Sequence, residues 1–102
     1  MAENNVTKKK ILLAEDDKFI SRAYLDGLSR GGFEVISAAD GNEAVRLARE
    51  EKPDIILLDL IMPDKEGLET IVELRKINRE IPIIAISGGG TMGPETYLPL
   101  AV

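Results

Sequence analysis

Two short apolar runs, Ile11-Leu12-Leu13-Ala14 and Ile55-Ile56-Leu57-Leu58, each give way abruptly to acid: Glu15 and Asp16 after the first, Asp59 after the second. Between and beyond them the apolar spacing alternates between short runs and helical stripes. Lys10–Ala14 reads as a strand. Phe19, Ile20, Ala23, Tyr24 and Leu28 then recur at helical spacing over Lys18–Arg30, and Gly31-Gly32 ends that stripe. Glu34–Ala38 is a second strand. Asp40 and Glu43 form a capping box, opening a helix through Glu51 whose apolar face is Ala44, Val45, Leu47 and Ala48. Pro53 closes the turn into a third strand, Asp54–Leu58. Its apolar character is continuous, as expected of a strand buried on both faces of a parallel sheet. After a loop from Met62 to Gly67, Leu68, Ile71, Val72, Leu74 and Ile77 mark a third helix. Pro82 then leads into a fourth strand, Ile83–Ser87. Gly88-Gly89-Gly90 is flexible, and Pro94 is placed to begin another helix. Strands and helices thus alternate throughout, which predicts an α/β fold with a doubly wound parallel sheet built from right-handed crossovers.

Ligands of such sheets bind at the carboxyl ends of the strands. If the first and third strands are neighbours, Glu15, Asp16 and Asp59 converge in one crevice. Like charges so close repel and take up protons unless a cation lies between them. A hard divalent ion with oxygen ligands answers this. Mg²⁺ suits a site with few carboxylates and room for water and phosphate oxygens. Asp59 at a buried strand end has a poor purely structural explanation, since an unpaired buried carboxylate is costly. Asp17 and Asp64 read as turn or capping residues.

Composition narrows the classes. At 102 residues the chain makes one domain, preceded by a flexible tail over residues 1–9. A net charge of −5 with no basic stripe argues against nucleic-acid binding, and Lys8-Lys9-Lys10 reads as a solvated lead-in to the first strand. Cysteine and histidine are both absent, which excludes disulfides, thiolate or imidazole metal sites and His-dependent nucleophilic catalysis. No apolar stretch approaches membrane-spanning length, so a soluble cytoplasmic protein without membrane contact is expected. Gly88 to Gly93 matches G-x-G-x-x-G after a strand. The helix, second strand and acidic residue that a dinucleotide fingerprint requires do not follow.

The segments KILLAEDD (10–17), AADGNEAVRLAREEKPDIILLDLIMPDKEGLE (38–69) and IPIIAISGGG (81–90) together resemble the receiver domain of bacterial two-component response regulators. The resemblance implies a flavodoxin-like receiver fold over residues 10–102. It implies that Glu15 and Asp16 hold Mg²⁺ and that Asp59 accepts a phosphoryl group from a sensor histidine kinase or phosphotransfer protein. By the same resemblance Ser87 binds a phosphoryl oxygen, and the backbone carbonyl of Ile61 is a further metal ligand. Residue chemistry agrees, because a carboxylate is a competent nucleophile toward phosphorus and phosphoryl transfer needs chiefly positioning and charge neutralisation.

The family pattern continues with a fifth strand and a lysine that pairs with the phosphoryl group. Here the last lysine is Lys76, within the third helix, so the receiver is expected to be C-terminally incomplete, with four of five strands. An exposed sheet edge and an uncovered helix face then favour self-association, with Tyr97–Val102 the segment most prone to leave its family position. The expected role is a signalling switch, not a metabolic enzyme. The alternative is a receiver-like protein–protein interaction module that no longer accepts phosphate. A dehalogenase-type phosphohydrolase would want an acid where Ile61 stands.

Overall fold

The computed structural model describes residues 8–60 and 67–86. The expectations for residues 1–7, the Ile61 carbonyl and the loop to Glu66 lie outside the described residues. So do those for Ser87, the glycine run, the helix from Pro94 and Tyr97–Val102. Seven elements alternate along the chain: β1 (Lys10–Ala14), α1 (Lys18–Arg30), β2 (Glu34–Ala38), α2 (Gly41–Glu51), β3 (Ile55–Asp59), α3 (Gly67–Ile77) and β4 (Ile83–Ile86). The four strands form one parallel sheet in the order β2-β1-β3-β4.

Local chemistry sets the boundaries. The Asp17 carboxylate accepts hydrogen bonds from the amides of Phe19 (2.8 Å) and Ile20 (3.0 Å), capping α1. The capping box of α2 forms with one shift. Asp40 accepts from the Glu43 amide at 2.8 Å, while Glu43 reaches back to the Ala39 amide at 2.8 Å, one residue before the cap. Lys52 ends α2 in the left-handed region (φ 50°), where the following Pro53 disfavours a further helical turn. The guanidinium of Arg75 closes the α3–β4 turn by donating to the carbonyl of Ile81 at 2.5 Å.

β3 begins and ends one residue later than the apolar run suggests. Asp54 instead serves as a clasp at the start of the sheet, its carboxylate accepting from the Lys10 amide at 2.7 Å and its own amide donating to the Lys10 carbonyl at 2.8 Å. Asp59 is therefore a ladder residue, opposite Ile86.

The order β2-β1-β3-β4 means that the chain steps one way from β1 to β2 and then crosses back over β1 to β3. Right-handed crossovers put α1 on one face of the sheet and α2 and α3 on the other. The α2–α3 face holds the main core. Leu12, Ala14, Ile56, Leu58, Ile83 and Ala85 point into it from the strands, against Ala44, Val45, Ala48, Ile71 and Leu74 from the helices. The α1 face is different. Leu13 and Ile11 are buried beneath α1, but no residue of α1 itself is buried. On that face Leu57 and Ile86 are only half-buried and Ile84 is exposed. The stripe that marked α1 as a helix is thus not a core stripe along its length. α1 covers β1 and β2 and leaves the β3–β4 half of the sheet open.

Candidate phosphoryl-acceptor and metal site

Parallel register assembles the site. Ala14 pairs with Leu58, so the next residues, Glu15 and Asp59, emerge side by side at the carboxyl ends of the two central strands. Asp16 follows in the turn into α1. One carboxylate oxygen from each of Glu15, Asp16 and Asp59 can be chosen so that all three lie within 4.8 Å of one another. Glu15 (5% exposed) and Asp59 (4%) are buried, whereas Asp16 is exposed. All three carboxylates that the sequence singles out are brought together.

Glu15 is held on both sides. Its amide donates to the Ala38 carbonyl at 3.0 Å, tying the strand end to β2, and its carboxylate accepts from the Asp17 amide at 3.2 Å. Burial pushes its carboxyl from 4.5 up to about 7. The charge of Asp59, a hydrogen bond with Asp59 and the charge of Asp16 add to that rise, and the Asp17 amide opposes it. Near neutral pH the group thus holds a proton in the place where a cation would relieve the same repulsion. An all-oxygen set of this size fits a hard divalent ion, with positions left for water or phosphate oxygens.

The far wall of the site depends on a close backbone contact. The Gly67 amide donates to the Leu60 carbonyl at 2.9 Å, and a Cβ at Gly67 would fall 2.6 Å from that same oxygen. Glycine is required there because α3 starts directly against the end of β3. Beside the carboxylates, toward β2, a cavity of about 340 Å³ opens between α1 and the strand ends, with Lys18, Arg22, Ser21 and Ser37 on its walls. Sequence reading passed over these residues. Their only signal is the i, i+4 placement of Lys18 and Arg22 on the helix that follows the acidic pair. Asp17, read as a capping residue, does cap α1. Lys76 lies in the last turn of α3, at the opposite end of the sheet from Asp59.

Residues 11–95 match the family model described as the response regulator receiver domain. The chain is 36% identical over 85 residues to the transcriptional regulatory protein PrrA of Mycobacterium tuberculosis, covering 83% of this chain and 36% of PrrA. It is 39% identical over 79 residues to the alkaline phosphatase synthesis transcriptional regulatory protein PhoP of Bacillus subtilis, covering 78% of this chain and 33% of PhoP. The chain therefore spans about a third of the length of these curated relatives. Among solved structures, the Vibrio cholerae chemotaxis protein CheY4 superposes with a TM-score of 0.79 at 30% identity, over 87% of this chain and 74% of that one. The likeness extends to the flavodoxin-like arrangement of parallel strands and flanking helices.

Proposed function

The chain belongs to the response regulator receiver domain family, and from that premise we propose that it accepts a phosphoryl group on Asp59 from a sensor histidine kinase or phosphotransfer protein, with Mg²⁺ as cofactor. The observation that carries this reading is the buried Asp59 carboxylate at the end of β3, within 4.8 Å of oxygens from Glu15 and Asp16.

In this reading an Asp59 oxygen attacks phosphorus in line. The Oδ–P bond forms as the donor's P–N bond breaks, and the departing imidazole keeps the electron pair and takes a proton. Bound Mg²⁺ would neutralise charge on the transferring phosphoryl oxygens. Glu15, Asp16 and Asp59 would hold it, joined by the Ile61 carbonyl, which like the phosphoryl-binding Ser87 is assigned through the family resemblance. The raised Glu15 carboxyl supports this role, because loading the ion would displace the proton kept there near neutral pH. The strand ladder opposite Ile86 and the Leu60–Gly67 contact keep the nucleophile fixed.

The same proposal makes the chain a cytoplasmic signalling switch with protein partners, not a metabolic enzyme. A net charge of −5 supports protein partners over nucleic acid, and no helix among the described residues is long and apolar enough to cross a membrane. Self-association through the outer edge at β4, which pairs only with β3 among the described strands, belongs to the proposal as well.

Mass spectrometry after treatment with acetyl phosphate and Mg²⁺ tests the acceptor. A phosphate-sized adduct is expected on the wild type and absent from Asp59→Asn. No adduct on folded wild type would favour the interaction-module reading, and an adduct on the Asn variant would mean a different nucleophile.

A further inference from the structure

We propose that the cleft between the C-terminal ends of α2 and α3 binds a small carboxylate carrying an apolar body, a ring or a short alkyl chain. The cleft lies at the end of the sheet opposite Asp59, so the inference is independent of phosphoryl transfer.

A cavity of about 370 Å³ opens there, at the small end of the range of about 300–1,000 Å³ for small-molecule pockets. Its inner walls are apolar and continuous with the core: Ala48 from α2, Ile56 from β3, Leu74 and Ile77 from α3, and Ile81 ahead of β4. Ile77 is only half-buried, so apolar surface is left for a ligand to cover. Three hydrogen-bond donors share the cavity with these walls: Arg49, Lys52 and Asn78.

The fold does not use up these donors. Among the described residues, the side chains of Arg49 and Lys52 take part in no ion pair or hydrogen bond. Asn78 is fixed by its Oδ1, which accepts from the amides of Glu80 at 2.9 Å and Ile81 at 3.2 Å. Its Nδ2 is left as a donor with no partner among the described residues.

Cations suit helix C-termini in any case, but here another residue does most of that work. Arg75 donates to the carbonyls of Asn78, Arg79 and Ile81 beyond α3, and the Lys52 backbone amide returns to the Ala48 carbonyl at 3.3 Å. A helix end carries only about half a negative charge, so the two whole charges of Arg49 and Lys52 outweigh the ends of α2 and α3. Neighbouring acids are engaged elsewhere. Glu50 pairs with Arg46 at 3.0 Å, Glu51 with Lys10 at 3.4 Å, and the Asp54 carboxylate accepts from the Lys10 amide. The mouth of the cleft is therefore positive in a chain of net charge −5. A carboxylate matches the planar fork of the Arg49 guanidinium, and an apolar body removes the Ile77 wall from water. A bare inorganic anion would leave the walls uncovered, and a hydrocarbon would leave the cations unmatched.

Amide chemical shifts of the metal-free full chain, titrated with sodium phenylbutyrate to about 20 mM at constant ionic strength, read the site directly. Saturable shifts are expected at Ala48, Lys52, Ile56, Asn78 and Ile81, with Kd on the order of 1 mM. Phenylbutyramide, the same body without the charge, should bind at least about fivefold more weakly. Acetate, the charge without the body, should give no localised shifts. The double variant R49Q/K52N keeps a helix former at 49 and a residue that tolerates φ 50° at 52, and an unchanged melting transition would show that it folds. It should bind phenylbutyrate at least about tenfold more weakly. No saturable shifts in wild type would overturn the proposal, and so would shifts confined to α1 around Phe19 and Leu28. Equal affinity for the carboxylate and the amide, or unchanged affinity in R49Q/K52N, overturns it as well.

Discussion

Raising the pH of the metal-free protein should cost it stability through Glu15, and Glu15→Gln should remove that dependence. Folding pushes this carboxyl from 4.5 up to about 7, first through burial and then through the charge of Asp59 and the hydrogen bond with it, with the Asp16 charge adding least. The folded protein then holds the Glu15 proton more tightly than the unfolded chain. This contribution is fully present below about pH 4.5, declines as pH rises and is lost above about pH 7. Each tenfold gain in proton affinity is worth about 1.4 kcal/mol, so the full swing is about 3 kcal/mol, and partial solvent access through the exposed Asp16 side lowers it to the order of 2 kcal/mol. Total stabilities of such domains are about 5–15 kcal/mol, so the change is readily measured. Urea unfolding of wild type and Glu15→Gln in chelator, at pH values spanning this window, isolates the Glu15 proton together with its coupling to Asp59. Wild type should lose on the order of 2 kcal/mol relative to Glu15→Gln between the acidic and alkaline ends. At the alkaline end Mg²⁺ at ten times its Kd should return about 1.4 kcal/mol to wild type, and less to Glu15→Gln. Parallel profiles for the two proteins, or a wild type that gains on the variant as pH rises, would refute the account of the pocket.

Two glycines should respond oppositely to alanine. At Gly67 the added methyl collides with the Leu60 carbonyl, and a loss of about 2–4 kcal/mol in urea unfolding is expected. At Gly27, inside α1 with open space around it, alanine should stabilise by about 0.5–1 kcal/mol. Asp40→Ala removes the acceptor for the Glu43 amide at the start of α2 and should lower stability by about 1 kcal/mol, read from the same unfolding curves.

Local signals in the chain foretold the elements with small displacements. Helix periodicity and caps are properties of a few consecutive residues, so the bounds of α1, β2 and α2 follow from Asp17, Gly31, Asp40 and Pro53. The site was legible for a related reason. A carboxylate directly after a buried apolar run has few structural explanations, and three of them in two places suggest a common crevice. What local patterns lack is pairing. The one-residue shift of β3 depends on Asp54 clasping Lys10, a contact between residues far apart in the chain.

The sequence by itself determined the alternation of strands and helices, the caps, and which acids stand at strand ends, because each rests on neighbouring residues and on burial of continuous apolar runs. Only the tertiary structure decided that β1 and β3 pair with Ala14 opposite Leu58. That register sets Glu15 beside Asp59 and, with burial, raises its carboxyl to about 7. Tertiary structure also decided the fate of the α1 stripe. Periodicity states that a helix has an apolar face, but whether anything covers the face depends on what packs there. Among the described residues α1 shields β1 and β2 alone, leaving Phe19 in solvent and the β3–β4 half of the sheet open.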